Sequence, residues 1–202
     1  MPDKIIIIGA GEQGRLAAAV LRYAPEREIA GFLDDQPGAG VLGRMADFSR
    51  WLPTHAFLIA LGDNALRRKI FNELLAAGAR FGNAIHPRAC VEASVQLGVN
   101  IFIGALALVN HGSVIGDNTI INSGSIIEHD NRIGSHVHIA PGVITAGGVQ
   151  VGDGALIGLG ATIMEDLTVG ENTVIGAHAN VLNSMPANVI AYGNPAQIIR
   201  SR

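Results

Sequence analysis

From residue 85 to residue 181 an aliphatic side chain returns every six positions: Ile85, Val91, Leu97, Ile103, Val109, Ile115, Ile121, Ile127, Ile133, Ile139, Val151, Ile157, Ile163, Val169, Ile175 and Val181, with Thr145 the one exception in phase. The residue two places earlier is usually small, as at Ala107, Ser113, Thr119, Ser125, Ala155, Ala161, Thr173 and Ala179. The residue just after is glycine at Gly98, Gly104, Gly116, Gly134, Gly152, Gly158, Gly170 and Gly176. A period of six matches neither the 3.6 of a helix nor the 2 of a strand. It fits a short strand followed by a tight corner. One small and one aliphatic side chain face an axis, and the following glycine is expected to turn the chain with φ > 0. Three such edges close one coil of eighteen residues. Stacked coils pair their backbones as parallel β-structure and bury continuous aliphatic columns. The pattern predicts a parallel β-helix over about residues 85–182, just over five coils long, with no insertion that breaks its phase.

Upstream the periodicity changes. Residues 4–8 form a short apolar run that predicts a buried strand, and Gly9-Ala10-Gly11-Glu12-Gln13-Gly14 leads into a helix reaching about Tyr23. Residues 29–33 predict a second strand, ending in Asp34-Asp35, and residues 57–61 a third, followed by Gly62-Asp63-Asn64. Asn64 is placed to cap a helix carrying Leu66, Ile70, Leu74 and Leu75 and stopped by Gly78. The domain expected over residues 1–83 is thus α/β and Rossmann-like. Its G-x-G-x-x-G stands in the strand–turn–helix setting that cradles phosphates, and an acid about twenty residues on often binds a ribose hydroxyl. The same glycines also suit tight packing alone, and the motif by itself leaves both readings open. About 80 residues supply half of a full dinucleotide fold, so a mononucleotide or nucleotide-sugar fits better than NAD.

Composition narrows the field. Of 202 residues, 49% are hydrophobic but only 4% aromatic, and 26 are glycine, which suits narrow regular layers. The formal charge of −3, without long runs of one sign, argues against nucleic acid as partner. Cys90 is the single cysteine, so neither an internal disulfide nor a cysteine metal cluster can form. The run before Gly9 is too short for a membrane span or signal segment, and a cytoplasmic location is expected.

Histidines are the candidate chemistry, because imidazole titrates near neutrality and serves as a general base. His55 and His86 fall outside or at the edge of the coil; His111, His129, His136, His138 and His178 fall within it. His129 follows Ile127 by two, which puts it at an outward corner beside Asp130. His111 and Gly147 lie eighteen residues before and after, in the same column. The residues alone therefore nominate both His111 and His129. A zinc hydrolyase on the same coil, of the γ-class carbonic anhydrase kind, needs two histidines five apart plus a third. His136 and His138 are two apart and no third is evident. A sugar-nucleotide scaffold without catalysis is the other rival, and the His129-Asp130 pair argues against it.

Ile7-Ile8-Gly9-Ala10-Gly11, Gly31-Phe32-Leu33-Asp34-Asp35, Leu61-Gly62-Asp63-Asn64, Ile127-Glu128-His129-Asp130 and Gly193-Asn194-Pro195-Ala196 carry a resemblance over both parts of the chain. The sequence resembles the sialic acid O-acetyltransferase and UDP-4-amino-sugar N-acetyltransferase family of hexapeptide-repeat acyltransferases, which includes the bacillosamine and perosamine N-acetyltransferases. The resemblance implies a left-handed coil, which the usual crossover rule would not predict. It also implies a homotrimer with sites between neighbouring prisms. It implies acetyl-CoA as acyl donor, no metal, and a nucleotide-linked amino sugar as acceptor, while the same base could serve a hydroxyl. His129 would be the base and Asp130 its partner. His138 would contact the acyl-CoA, and the Gly147 N–H would face the acyl oxygen. Gly158, Gly160, Gly176, Asn194 and Pro195 would line the pantetheine and adenine track. Gly11, Gln13, Gly14 and Asp35, with Asp34, Asp63 and Asn64, would bind the sugar nucleotide. The family's usual Gly-His stands here as Glu12-Gln13, and its usual Lys after the last Pro-Ala as Gln197. The first departure predicts an acceptor somewhat unlike the family's commonest one.

Overall fold

The structure is a computed structural model that describes residues 3–24 and 27–202. It divides into two compact units, Met1–Pro87 and Arg88–Arg202.

The first unit is a parallel sheet in the order β3-β2-β1-β4-β5, built from β1 (Asp3–Ile8), β2 (Arg27–Leu33), β3 (Val41–Gly43), β4 (Ala56–Ile59) and β5 (Arg80–Phe81). Helix α1 (Glu12–Leu21) follows β1, and α2 (Asn64–Ala76) joins β4 to β5. The central strand reads Ile5-Ile6-Ile7-Ile8 without alternation because both faces are covered. Ile6 and Ile8 pack with Phe57, Ile59, Ile70, Phe71 and Leu74. Two expectations need correction. The cap of α2 is Asp63, whose Oδ1 accepts the Leu66 N–H at 2.8 Å, and Asn64 is the first helical residue. Leu66 and Leu75 are exposed, and Phe71 and a wholly buried Arg67 take the inner face with Ile70 and Leu74. The short strands β3 and β5 and the 3₁₀ turn Met45–Arg50 carry too little periodicity to be read in advance.

The second unit is a left-handed three-sided parallel β-helix of two-residue strands. Each strand pairs with the one eighteen residues on: Leu108 with Ile126 and Ile126 with Ile144 in the first sheet, Val114 with Arg132 and Arg132 with Gln150 in the second, Ile120 with His138 and His138 with Leu156 in the third. From Val109 to Val181 every in-phase residue is buried, Thr145 included, whereas Ile85 is 40% exposed and is no part of the inner column. The phase ends after Val181. Met185 bridges Val169 and Ile190 pairs with Val174, each sixteen residues apart. The strands Val189–Tyr192 and Gln197–Ser201 then form an antiparallel hairpin that extends the third sheet.

The corner chemistry differs from expectation. The glycines just after the aliphatic column do not adopt positive φ. They are there because a side chain would strike the next coil: a Cβ on Gly116 would lie 2.6 Å from the Gly134 carbonyl carbon, and one on Gly158 2.6 Å from the Ala177 nitrogen. The left-handed turn comes two residues later, at Asn100, Leu106, Gly112, Asn118, Gly124, Asp130, His136 and onward every six residues to His178. Asn, Asp and Gly tolerate that conformation best, which explains their frequency in that column.

Candidate active site

His129 sits at the corner between the strands Ile126–Ile127 and Arg132–Ile133. Asp130 is one of the left-handed residues, with φ 59°. That turn brings two adjacent side chains together, and His129 Nδ1 lies 2.9 Å from Asp130 Oδ2. An ionised carboxylate only accepts, so Nδ1 holds the proton and Nε2 presents its lone pair. About half of the imidazole is exposed.

The corner is braced from within. Asn131 Nδ2 donates to the carbonyls of Glu128 at 2.8 Å, His129 at 3.1 Å and Ala146 at 2.8 Å. Ser113 Oγ donates to the Glu128 carbonyl at 2.9 Å and accepts the Asn131 N–H at 3.1 Å. Glu128 Oε2 accepts from the His129 N–H at 3.2 Å and from Asn110 Nδ2 at 2.9 Å. The sequence placed Ser113 in the small inner column and Glu128 beside His129 but gave none of these residues a bracing role. The signal was present in the eighteen-residue spacing of Asn110 and Glu128.

Gly147 lies under the ring. A Cβ there would fall 2.5 Å from His129 Cε1 and 2.7 Å from Nε2. The column also explains why its N–H is open. The N–H of His111 bonds Asn110 Oδ1 at 2.8 Å, and that of His129 bonds Glu128 Oε2 at 3.2 Å. The residue before Gly147 is Ala146, with no side-chain acceptor, and among the described residues the Gly147 N–H meets none. A donor with no partner among the described residues thus stands beside an imidazole.

His138 lies elsewhere on the coil. It is on the third sheet, pointing outward because Ile139 points in, with Nε2 3.5 Å from Asn122 Nδ2. In a three-sided prism that sheet is opposite the His129 corner, so a single chain does not bring the two histidines together. Gly158 and Gly176 continue the His138 side, each following a strand of the third sheet. Gly160, φ +63°, lies at the next corner under the His178 ring. Asn194 and Pro195 form the turn of the terminal hairpin, where Asn194 Oδ1 accepts from Asn180 Nδ2 at 3.2 Å. His136 is buried in a ladder with Asn118, Nδ1 to Nδ2 2.8 Å. Among the described residues no three His, Cys, Asp or Glu side chains converge as a metal site would require.

In the first unit the three glycines of the loop have different reasons. Gly9 has φ +99° and backs onto the Ala60 carbonyl, where a Cβ would lie 2.8 Å away. A Cβ on Gly14 would lie 1.9 Å from the Gly9 oxygen. Gly11, the N-cap of α1, has an ordinary φ of −68° and nothing within 4 Å of a Cβ. It faces an open cavity of about 370 Å³ lined also by Ala10, Arg15, Phe32, Asp34 and Gln36. The Asp34 carboxylate is committed to the frame of that cavity, accepting from Ala10 N–H at 2.7 Å and Gln36 N–H at 2.8 Å. Asp35 accepts weakly from Met45 N–H at 3.3 Å. Gln13 follows Glu12 in the first turn of α1, and its Nε2 is buried with no hydrogen-bond partner. Asp63 and Asn64 are occupied in the α2 cap, Asn64 Oδ1 accepting from Arg67 Nη2 at 2.8 Å. Arg67 also donates to the Leu61 carbonyl at 2.9 Å; burial pushes its pKa down to about 10, with Asp63 opposing.

The chain is similar to known proteins in sequence and fold. The family described as the PglD N-terminal domain matches residues 4–74. A UDP-N-acetylbacillosamine N-acetyltransferase of Bacillus subtilis (strain 168) is 32% identical over 110 residues, 50% of this chain and 51% of that protein. The match thus spans about half the length of that curated relative. Among solved structures, the acetyltransferase domain of PglB from Neisseria gonorrhoeae FA1090, in complex with acetyl coenzyme A, is 31% identical with a TM-score of 0.94, over 98% of this chain and 100% of that one. PerB from Caulobacter crescentus, in complex with CoA and GDP-perosamine, is 35% identical with a TM-score of 0.91, over 98% of this chain and 97% of that one. Fold and likeness together define the class: a hexapeptide-repeat acyltransferase scaffold preceded by a Rossmann-like domain. Within that class the chain belongs to the sialic acid O-acetyltransferase and UDP-4-amino-sugar N-acetyltransferase family, alongside the bacillosamine and perosamine N-acetyltransferases.

Proposed function

We propose that this chain is an acetyl-CoA-dependent N-acetyltransferase acting on the amino group of a nucleotide-linked amino sugar, in the cytoplasmic stage of surface glycan synthesis. The observation that carries the reading is the His129 corner: an imidazole with Nδ1 held by Asp130, Nε2 open, and the uncommitted Gly147 N–H beside it. The acceptor amine enters as the free base, since an ammonium has no lone pair. Its nitrogen attacks the thioester carbonyl carbon and becomes positively charged, while the carbonyl oxygen becomes an oxyanion. Nε2 of His129 removes the proton from nitrogen, and the Gly147 N–H donates to the oxyanion. Collapse of the tetrahedral intermediate breaks the C–S bond, and the departing thiolate takes the proton from His129. Asp130 orients the ring and offsets the charge of its protonated form.

The acceptor's nucleotide is assigned to residues 1–83, in the cavity beside Gly11. Gly11 is the loop glycine that the protein's own packing does not require, and close approach of a phosphate does require it. Gln13, Gly14, Asp34, Asp35, Asp63 and Asn64 frame that end of the sheet. The acyl donor is assigned to residues 84–202, along His138, Gly158, Gly160, Gly176, Asn194 and Pro195. His129 and His138 occupy opposite sides of one prism, and both can serve a single site if neighbouring prisms meet there. This supports a homotrimer.

The test is thiol release from acetyl-CoA with a panel of UDP-, GDP- and dTDP-linked amino sugars. One member should be acetylated on nitrogen, and the hydroxyl-only counterpart should not. Turnover with hydroxyl sugars but no amino sugar would move the reading to O-acetylation, and none with any acceptor would favour a binding scaffold.

A further inference from the structure

We infer that His111 is a positioning residue that holds the His129 ring in its working plane. The inference rests on His129 being the base. The two imidazoles stack with centroids 5.4 Å apart and planes 10° from parallel. Among the described residues the His111 side chain makes no hydrogen bond, and its ring contact is with His129. Folding of the coil gives no other reason for an imidazole there.

The stack is held by side-chain and backbone bonds around it. Asn110 Oδ1 accepts the His111 N–H at 2.8 Å, and Asn110 Nδ2 donates to Glu128 Oε2 at 2.9 Å. The same Glu128 oxygen accepts the His129 N–H at 3.2 Å. The Asp130 N–H donates to the His111 carbonyl at 2.9 Å. The two residues are therefore fixed one coil apart, close to the spacing of paired strands. His129 then has His111 against one face and Gly147 against the other, with Asp130 on its Nδ1 edge. The edge left open carries Nε2. An exposed imidazole on a single χ1–χ2 hinge would otherwise sample several staggered wells. Confining it to one keeps Nε2 where the acceptor nitrogen arrives, which is the positional part of catalysis.

The experiment compares His111→Ala and His111→Phe with the wild-type full chain, measuring kcat, KM for both substrates and melting temperature. His129→Ala is measured alongside. His111→Ala is expected to lower kcat about three- to tenfold, the range of one ring–ring contact, with KM values and melting temperature unchanged. His111→Phe keeps a flat ring without nitrogen and is expected to restore most of kcat. A wild-type kcat in His111→Ala overturns the inference while leaving the base assignment intact. So does a raised acceptor KM at unchanged kcat, which would make His111 a substrate contact. Failure of Phe to rescue would give the role to the nitrogen atoms and also overturns it. Full turnover in His129→Ala would instead sink the base assignment, and the inference with it.

Discussion

Gly147→Ala tests the site by adding one methyl group. Gly147 lies outside the left-handed region, so its backbone accepts alanine without strain. The new Cβ would stand 2.5 Å from Cε1, 2.7 Å from Nε2 and 3.1 Å from Nδ1 of His129. Carbon atoms rest at about 3.5–4.0 Å, so the ring must retreat by about 1 Å. Behind it lies His111, and sideways rotation breaks the 2.9 Å bond to Asp130. The ring is half exposed, and folding stability should stay within about 0.5 kcal/mol. Geometry should suffer far more, since about 1 Å of misplacement can cost on the order of 10²-fold, or about 2.7 kcal/mol in the barrier. Steady-state thiol release should show kcat reduced by that order with little change in KM. In the His129→Ala background the same methyl has no ring to displace and should cost nearly nothing further. A kcat within twofold of wild type would refute the reasoning. An equal penalty in both backgrounds would show that the methyl obstructs the donor or substrate rather than the base.

Four further outcomes follow from the geometry of the two units. His129→Ala should lower kcat by about 10²–10⁴-fold, the usual contribution of a general base, with acetyl-CoA affinity by calorimetry nearly unchanged. Gly11→Ala should leave the melting temperature unchanged, its Cβ meeting nothing within 4 Å, but raise KM for the sugar nucleotide. Gly14→Ala should lower the melting temperature, because its Cβ would lie 1.9 Å from the Gly9 oxygen. Arg67→Ala leaves the Leu61 carbonyl and Asn64 without their buried donor and should destabilise the first unit by about 3 kcal/mol, visible as an earlier denaturant transition.

The β-helix was legible because its signal is redundant: a misread residue cannot shift a column repeated every six positions. The column also showed that His111, His129 and Gly147 stack, since spacing of eighteen is a contact in this fold. What could not be read was why each glycine is there. Glycine serves both for positive φ and for close approach, and sequence does not separate the two. Gly116 and Gly158 are required by the coil above, while the left-handed turn falls on Asn118 and Gly160. The same ambiguity hid the difference between Gly11, facing open space, and Gly14, pressed on the loop. Asp63 was read as substrate contact alone because its role as cap depends on which residue begins the helix. Arg67 was missed because a charged residue on a helix is normally expected at the surface.

A coil of this kind has a consequence for how its site is made. Each corner repeats the same backbone, so a functional position can differ from its neighbours only in the side chains that bond that backbone. At the His129 corner two successive levels, Asn110 and Glu128, close the following N–H with a side-chain oxygen. The third level, Ala146, does not, and the Gly147 N–H meets no acceptor among the described residues. Asn131 meanwhile ties the Glu128, His129 and Ala146 carbonyls to one carboxamide, so the level of His129 and the level of Gly147 keep a fixed separation. The donor is therefore created by omission within a rigid ladder, and the imidazole is placed by the left-handed turn at Asp130 that the corners from Asn100 to His178 share. Little of the scaffold has to depart from its repeat to set the two groups side by side, as the proposed reaction requires.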